Sequence, residues 1–166
     1  MNKIKSGLAI LTIAMLAGCQ QQPNAQDIGM CWNADTKETV NSMVKNYVAE
    51  YIADGIAKND KTHTKAQITA WVKARVITTL SNFYVLTADP VTGNVTCGAD
   101  AAMTFKRGDK TYTGSGASFT FAVYNAEGDN TMYSVTSRHS LTQMVDDATV
   151  SPDAGSAKPS PASATQ

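Results

Sequence analysis

The chain has 166 residues, 43% of them hydrophobic, with 14 Lys+Arg against 14 Asp+Glu and a formal net charge of zero. That is one domain's worth of chain with enough apolar residues for a single core. With no block of basic residues it offers nucleic acid no electrostatic footprint.

The N-terminus is short and basic, Met1-Asn2-Lys3-Ile4-Lys5, and an apolar run follows from Leu8 to Leu16. The run is roughly half of the ~20 apolar residues needed to span a bilayer. A charged start, a short apolar stretch and the polar Gln20-Gln21-Gln22 behind it read as a secretory signal peptide over residues 1–18, not as a core helix. The run ends in Leu16-Ala17-Gly18-Cys19, which resembles the lipobox of bacterial prolipoproteins. The resemblance implies a diacylglyceryl group on the Cys19 sulfur, cleavage before Cys19 and acylation of the new amine. It also implies, from Gln20 rather than Asp after the cysteine, sorting to the outer membrane of a bacterial envelope. One acyl chain holds a protein to a bilayer only marginally, whereas two or three on one residue make a lasting anchor. Loss of Lys3 and Lys5 with the leader would leave 12 basic side chains against 14 acidic, a net charge of about −2.

Residues 19–27 are polar, contain Pro23 and read as a tether. With Cys19 taken by lipid, Cys31 and Cys97 remain as an even pair in an oxidising compartment, which reads as one disulfide. The alternatives are two buried free thiols or, without nearby histidines, half a zinc site. Asp35 with Glu38 has the form of a capping box. Beyond it Val40, Met43, Val44, Tyr47, Val48, Tyr51, Ile52 and Ile56 make one apolar stripe of a long helix that ends at Asn59-Asp60. Thr64 and Gln67 suggest a second cap, with Ile68, Trp71 and Val72 at helical spacing. β-Branched residues then crowd in, and the spacing predicts a short helix running into a strand over 75–89.

Residues 89–94 carry hairpin-turn chemistry. Val95, Cys97, Ala99, Ala101, Met103 and Phe105 alternate with smaller or polar residues, the pattern of a half-buried strand. Residues 107–110 turn, and Thr113, Ser115, Ala117, Phe119, Phe121 and Val123 are expected to line the inner side of a third strand. A further turn at 125–130 leads to a fourth strand over 132–139 with Tyr133 and Val135 inward. The expected fold is α+β: a long N-terminal helix laid across the apolar face of a four-stranded antiparallel meander, with one disulfide pinning the helix start to a central strand. The domain is expected over 28–145. Residues 146–166 end in a run of Ser, Ala, Pro, Asp and Gly that is expected to be disordered. This layout resembles a recurring type of small Gram-negative lipoprotein, with Thr92, Gly93, Cys97 and Ala99 as the matching hairpin residues, and the resemblance speaks to fold more than to activity. Some lipoproteins of this size inhibit lysozyme-like or toxin enzymes.

No catalytic constellation, metal set or cofactor motif stands out. His63 and His139 have no carboxylate or serine beside them in a recognised motif. Gly114-Ser115-Gly116 lacks the lysine and context of a phosphate loop and points instead to a bend or close backbone approach. Residues 89–94 supply too few oxygens for a calcium loop. Arg107-Gly108-Asp109 spells an adhesion tripeptide but is what a hairpin turn needs. Tyr112, Thr120 and Tyr124 alternate away from the expected core and are the candidate binding surface, with Trp32 beside the tether. Three readings follow: a non-enzymatic binding or inhibitory module with an envelope protein partner, a structural component of an envelope or secretion assembly, and, third, a small enzyme.

Overall fold

A computed structural model describes residues 28–126 and 130–152, with side chains to Val150. The leader, Cys19, the tether, residues 127–129 and the tail beyond Pro152 lie outside the described residues. The first helix, α1, spans Ala34–Ala57. Its cap is Asn33, whose Oδ1 accepts from the Thr36 N–H at 2.7 Å, so the helix starts ahead of the expected Asp35–Glu38 box. Val40, Val44, Val48, Ala49 and Ala53 are wholly buried. Met43, Tyr47, Ile52 and Ile56, at the margins of that stripe, are half-buried against the same core. The second helix, α2, covers Lys65–Lys73 and carries the expected capping box: Thr64 accepts from the Gln67 N–H while the Gln67 side chain accepts from the Thr64 N–H.

Four strands follow as an antiparallel meander: β1 Val76–Ala88, β2 Val95–Arg107, β3 Lys110–Ala126 and β4 Asn130–Val135, paired in the order β1-β2-β3-β4. The fold is α+β as the sequence indicates. The core is one cluster in which Val40, Val44 and Val48 of α1 meet the inner side of the sheet at Cys97, Ala99, Phe119 and Phe121. Two hydrogen bonds tie helix to sheet within this layer: Thr78 Oγ1 donates to Asn41 Oδ1 at 2.8 Å, and Thr36 Oγ1 donates to Tyr133 Oη at 3.3 Å. Cys31 and Cys97, both fully buried, form the disulfide, with Cα atoms 5.6 Å apart and a sequence separation of 66. The bridge joins the approach to α1 to strand β2, next to the centre of the sheet.

Two features differ from the expected domain. The last strand stops at Val135, and the chain forms a helix, α3, over His139–Asp146, burying Leu141 and Met144. It then returns as a fifth strand, β5, over Thr149–Pro152, pairing with Lys110–Thr113 of β3. The folded domain therefore reaches Pro152, through the first residues of the stretch assigned to the tail. Strand β3 is long enough, at 17 residues, to hold β4 along its C-terminal part and β5 along its N-terminal part on one edge. Gly114 is where α3 meets β3, because a Cβ there would run into the Met144 backbone carbonyl and side chain. Close approach of two backbones is the physical reason for a glycine inside a strand.

The face register of β3 also changes partway. Ala101 pairs with Ala117 but Met103 with Gly114, so Ser115 and Gly116 together oppose the single residue Ala102. This is a β-bulge, and Gly116 occupies the left-handed region, φ +79°, that bulges reserve for glycine. Ala117, Phe119, Phe121 and Val123 face inward as expected. Before the bulge the alternation is inverted. Thr113 and Ser115 are exposed, and Tyr112 pairs with Phe105 on the inner side.

Candidate functional site

The bulge divides the expected binding surface. Thr120 and Tyr124 remain on the outer side of the sheet, which no described helix covers. Tyr112 is on the other side, half-buried against the core with its ring 6.0 Å from that of Phe105. The three therefore do not share one surface, because Gly116 switches the side-chain phase between residues 112 and 120.

The outer side is mostly hydroxyl-bearing. Thr120 and Thr136 share a hydrogen bond of 2.7 Å. Asp100 accepts from Ser118 Oγ at 2.6 Å and from Asn82 Nδ2 at 2.8 Å. These two bonds hold the Asp100 carboxyl below the usual carboxylate range, Ser118 contributing most. Ile77, Tyr84, Leu86, Tyr124 and Met132 are exposed around this polar centre. Single exposed apolar residues of this kind are normal on a sheet surface. Trp32, the aromatic beside the tether, is 42% exposed at the other end of α1.

Tyr112 belongs instead to a groove at the C-terminal end of α1. Two adjoining hollows of about 410 and 400 Å³ share Ile56 and Arg107. Volumes of this order are those of small-molecule sites. The floor is apolar and comes from elements far apart in the chain: Ile52 and Ile56 from α1, Met103 and Phe105 from β2, Tyr112 from β3, Val145 from α3, and Ile68 and Trp71 from α2. Its aromatic part is continuous. Trp71 meets Phe105 edge-on at 5.8 Å, Phe105 meets Tyr112, and Arg75 lies over the Trp71 ring at 4.5 Å. Edge and tilted contacts suit the ring quadrupoles, and the stacked guanidinium adds a cation–π attraction that fixes the Trp71 plane.

The rim is charged, and its acids are already occupied. Tyr51 Oη donates to both Asp146 oxygens, at 2.9 and 3.0 Å, tying α1 to α3 and pushing the phenol above its ordinary value. Asp54 pairs with Lys65 at 2.7 Å. Asp60 accepts from the Thr62 and His63 N–H groups and lies 2.9 Å from His63 Nδ1, so its carboxyl is held far below the usual range, first by Thr62. His63 thus has a carboxylate partner that sequence spacing did not identify, and the pair staples the α1–α2 loop. Two cations on the rim, Lys58 and Arg107, form no ion pair among the described residues. Arg107 stands where the two hollows meet, at the mouth of the tight β2–β3 turn.

Sequence reasoning noted Arg107 and Tyr112 but attached neither to a cavity. The signals were slight. The α1 stripe runs about one turn past its last buried residue, Ala53, to Ile56, and Trp71 stands near the end of a nine-residue helix. Among the described residues no three of His, Cys, Asp and Glu are gathered as a metal site, and no described helix is long and apolar enough to cross a membrane. No protein-family model, no curated protein and no solved structure matches the chain.

Proposed function

We propose that this chain is a lipid-anchored binding module of the bacterial envelope, tethered through Cys19, that holds its ligand in the groove at the far end of α1 without transforming it. The observation that carries the reading is the groove itself: an apolar floor drawn from several helices and strands, with a rim whose acids are hydrogen-bonded or ion-paired to neighbours while its cations Lys58 and Arg107 form no ion pair among the described residues. Concave, largely apolar sites with a few placed polar groups are how proteins bind small molecules.

The polarity of the molecule supports this arrangement. Helix α1 has 24 residues, a length of about 36 Å at 1.5 Å per residue. The disulfide and the approach from the tether sit at its N-terminal end and the groove at its C-terminal end. An anchor on Cys19 would therefore join the domain at the disulfide end of α1, and the groove lies at the opposite end of that helix.

Two measurements test the proposal. Wild-type protein should incorporate labelled palmitate in cells, and Cys19→Ser should not. The purified domain should bind the neutral fluorophore phenylnaphthylamine. Ile56→Glu, which buries a charge in the groove floor, should weaken that binding about tenfold or more, while Tyr124→Ala on the outer side of the sheet leaves it unchanged. Equal loss in both variants, or no binding by the wild type, would refute the groove as the site.

A further inference from the structure

The charges around the groove specify more than an apolar guest. Asp54, Asp60 and Asp146 are each engaged by a neighbour, whereas Arg107 lines both hollows with Lys58 on the same rim, and among the described residues no carboxylate is paired to either. An arginine beside an apolar floor is a fixed cation with a planar fork of donors, and its complement is a planar monoanion. The two adjoining hollows that Arg107 lines are floored by apolar side chains, Phe105 and Ile56 among them, which suits a hydrocarbon chain. Three carboxylates, Asp54, Asp60 and Asp146, line the same hollows, and they repel a doubly charged head more than a singly charged one, so a single negative charge is favoured over two.

We infer that the groove takes a long-chain monocarboxylic acid, its hydrocarbon chain lying along the floor between α1, α2 and β2 and its carboxylate held by Arg107. This rests on the groove being the binding site, as proposed above. Arg107 Nη and Nε–H groups donate to the carboxylate oxygens, and Lys58 adds long-range attraction. No bond is made or broken. Arg107 pairs with Lys110 across the β2–β3 turn, so the hairpin sets where its backbone stands beside the groove.

The test is displacement of phenylnaphthylamine from the purified, disulfide-intact domain by four ligands of one chain length: dodecanoic acid, dodecanol, dodecyl phosphate and dodecyltrimethylammonium. Dodecanoate should compete about tenfold more strongly than dodecanol, the worth of one charge-assisted hydrogen-bonded pair. The phosphate should be weaker than the carboxylate, and the cation weakest. Arg107→Gln, an exposed turn substitution, should reduce dodecanoate to the level of dodecanol and leave dodecanol itself unchanged, with an unaltered circular dichroism spectrum. Equal competition by acid and alcohol would overturn the role of Arg107 while leaving an apolar binding site standing. Dodecyl phosphate as strong as dodecanoate would overturn the monoanion assignment. A reporter that binds but is displaced by none of the four would exclude alkyl ligands altogether. Failure of the reporter to bind the wild type would overturn the groove itself, and so separates that failure from failure of the ligand class.

Discussion

Opening the Cys31–Cys97 bridge should lower stability by a large and calculable amount. The bridge closes 66 residues, which in the chain-entropy description removes about 4 kcal/mol of conformational freedom from the unfolded chain at 25 °C. Domains of this size have total stabilities of roughly 5–15 kcal/mol, so the bridge supplies a substantial part. The native side changes little on opening, because both sulfurs are buried in an apolar cluster where a thiol packs as a small hydrophobic group. The clean comparison sets the oxidised protein against the same protein held reduced, by guanidinium unfolding and far-ultraviolet circular dichroism. With a guanidinium slope of about 3 kcal/mol per molar, the midpoint should fall by roughly 1 to 1.5 M. The slope itself should rise, because an uncrosslinked unfolded chain exposes more surface. A pair of curves within about 1 kcal/mol of one another, at equal slope, would refute the argument that this bridge acts on the unfolded chain.

Two glycines of β3 should respond differently to alanine. Gly114→Ala places a methyl against the Met144 backbone, which cannot turn aside, and should cost about 2–3 kcal/mol in denaturant titration. Gly116→Ala meets open space and bears only the left-handed backbone, costing about 1 kcal/mol, so equal losses would argue against the α3–β3 contact. The Asp100 carboxyl is depressed by Ser118 and Asn82. Its contribution to stability is therefore present above the ordinary value of 3.8 and disappears as pH falls through the lower folded value. The stability difference between wild type and Asp100→Asn should shrink on acidification below about pH 4, and a difference independent of pH would count against the Ser118–Asp100–Asn82 cluster.

The frame of the domain was readable in the sequence because it repeats. The α1 stripe recurs over several turns, the Thr64–Gln67 box marks α2, and β2 alternates without interruption from Val95 to Phe105. Cys31 and Cys97 could be paired from export chemistry and parity, and they are bridged. What escaped had too little periodicity to register. Helix α3 shows only Leu141, Met144 and Val145 in eight residues, and β5 shows only Val150. Tyr112 was assigned to the wrong face because residues 111–116 hold no aliphatic residue to reveal the phase, so alternation was carried backward through the one position, Gly116, where the strand inserts an extra residue. The groove was not readable for a different reason. Ile56, Trp71, Phe105 and Val145 come from four elements, and nothing in their local sequence announces that they converge.

The placement of the bridge also determines how the domain carries mechanical load. Tension entering from the N-terminal side reaches Cys31 within four residues of Ile28 and passes through the sulfurs directly into β2. Of the described residues, only Ile28 to Met30 lie ahead of the bridge and can be drawn out. Helix α1 lies beyond the point of attachment and is not pulled, so it cannot be peeled from the sheet from its exposed end. Force is delivered to a strand held on both sides, by β1 and β3, where many backbone hydrogen bonds would have to yield together instead of one after another. Dragged by its N-terminus, the domain should behave as a clamped body whose first yielding element is the sheet.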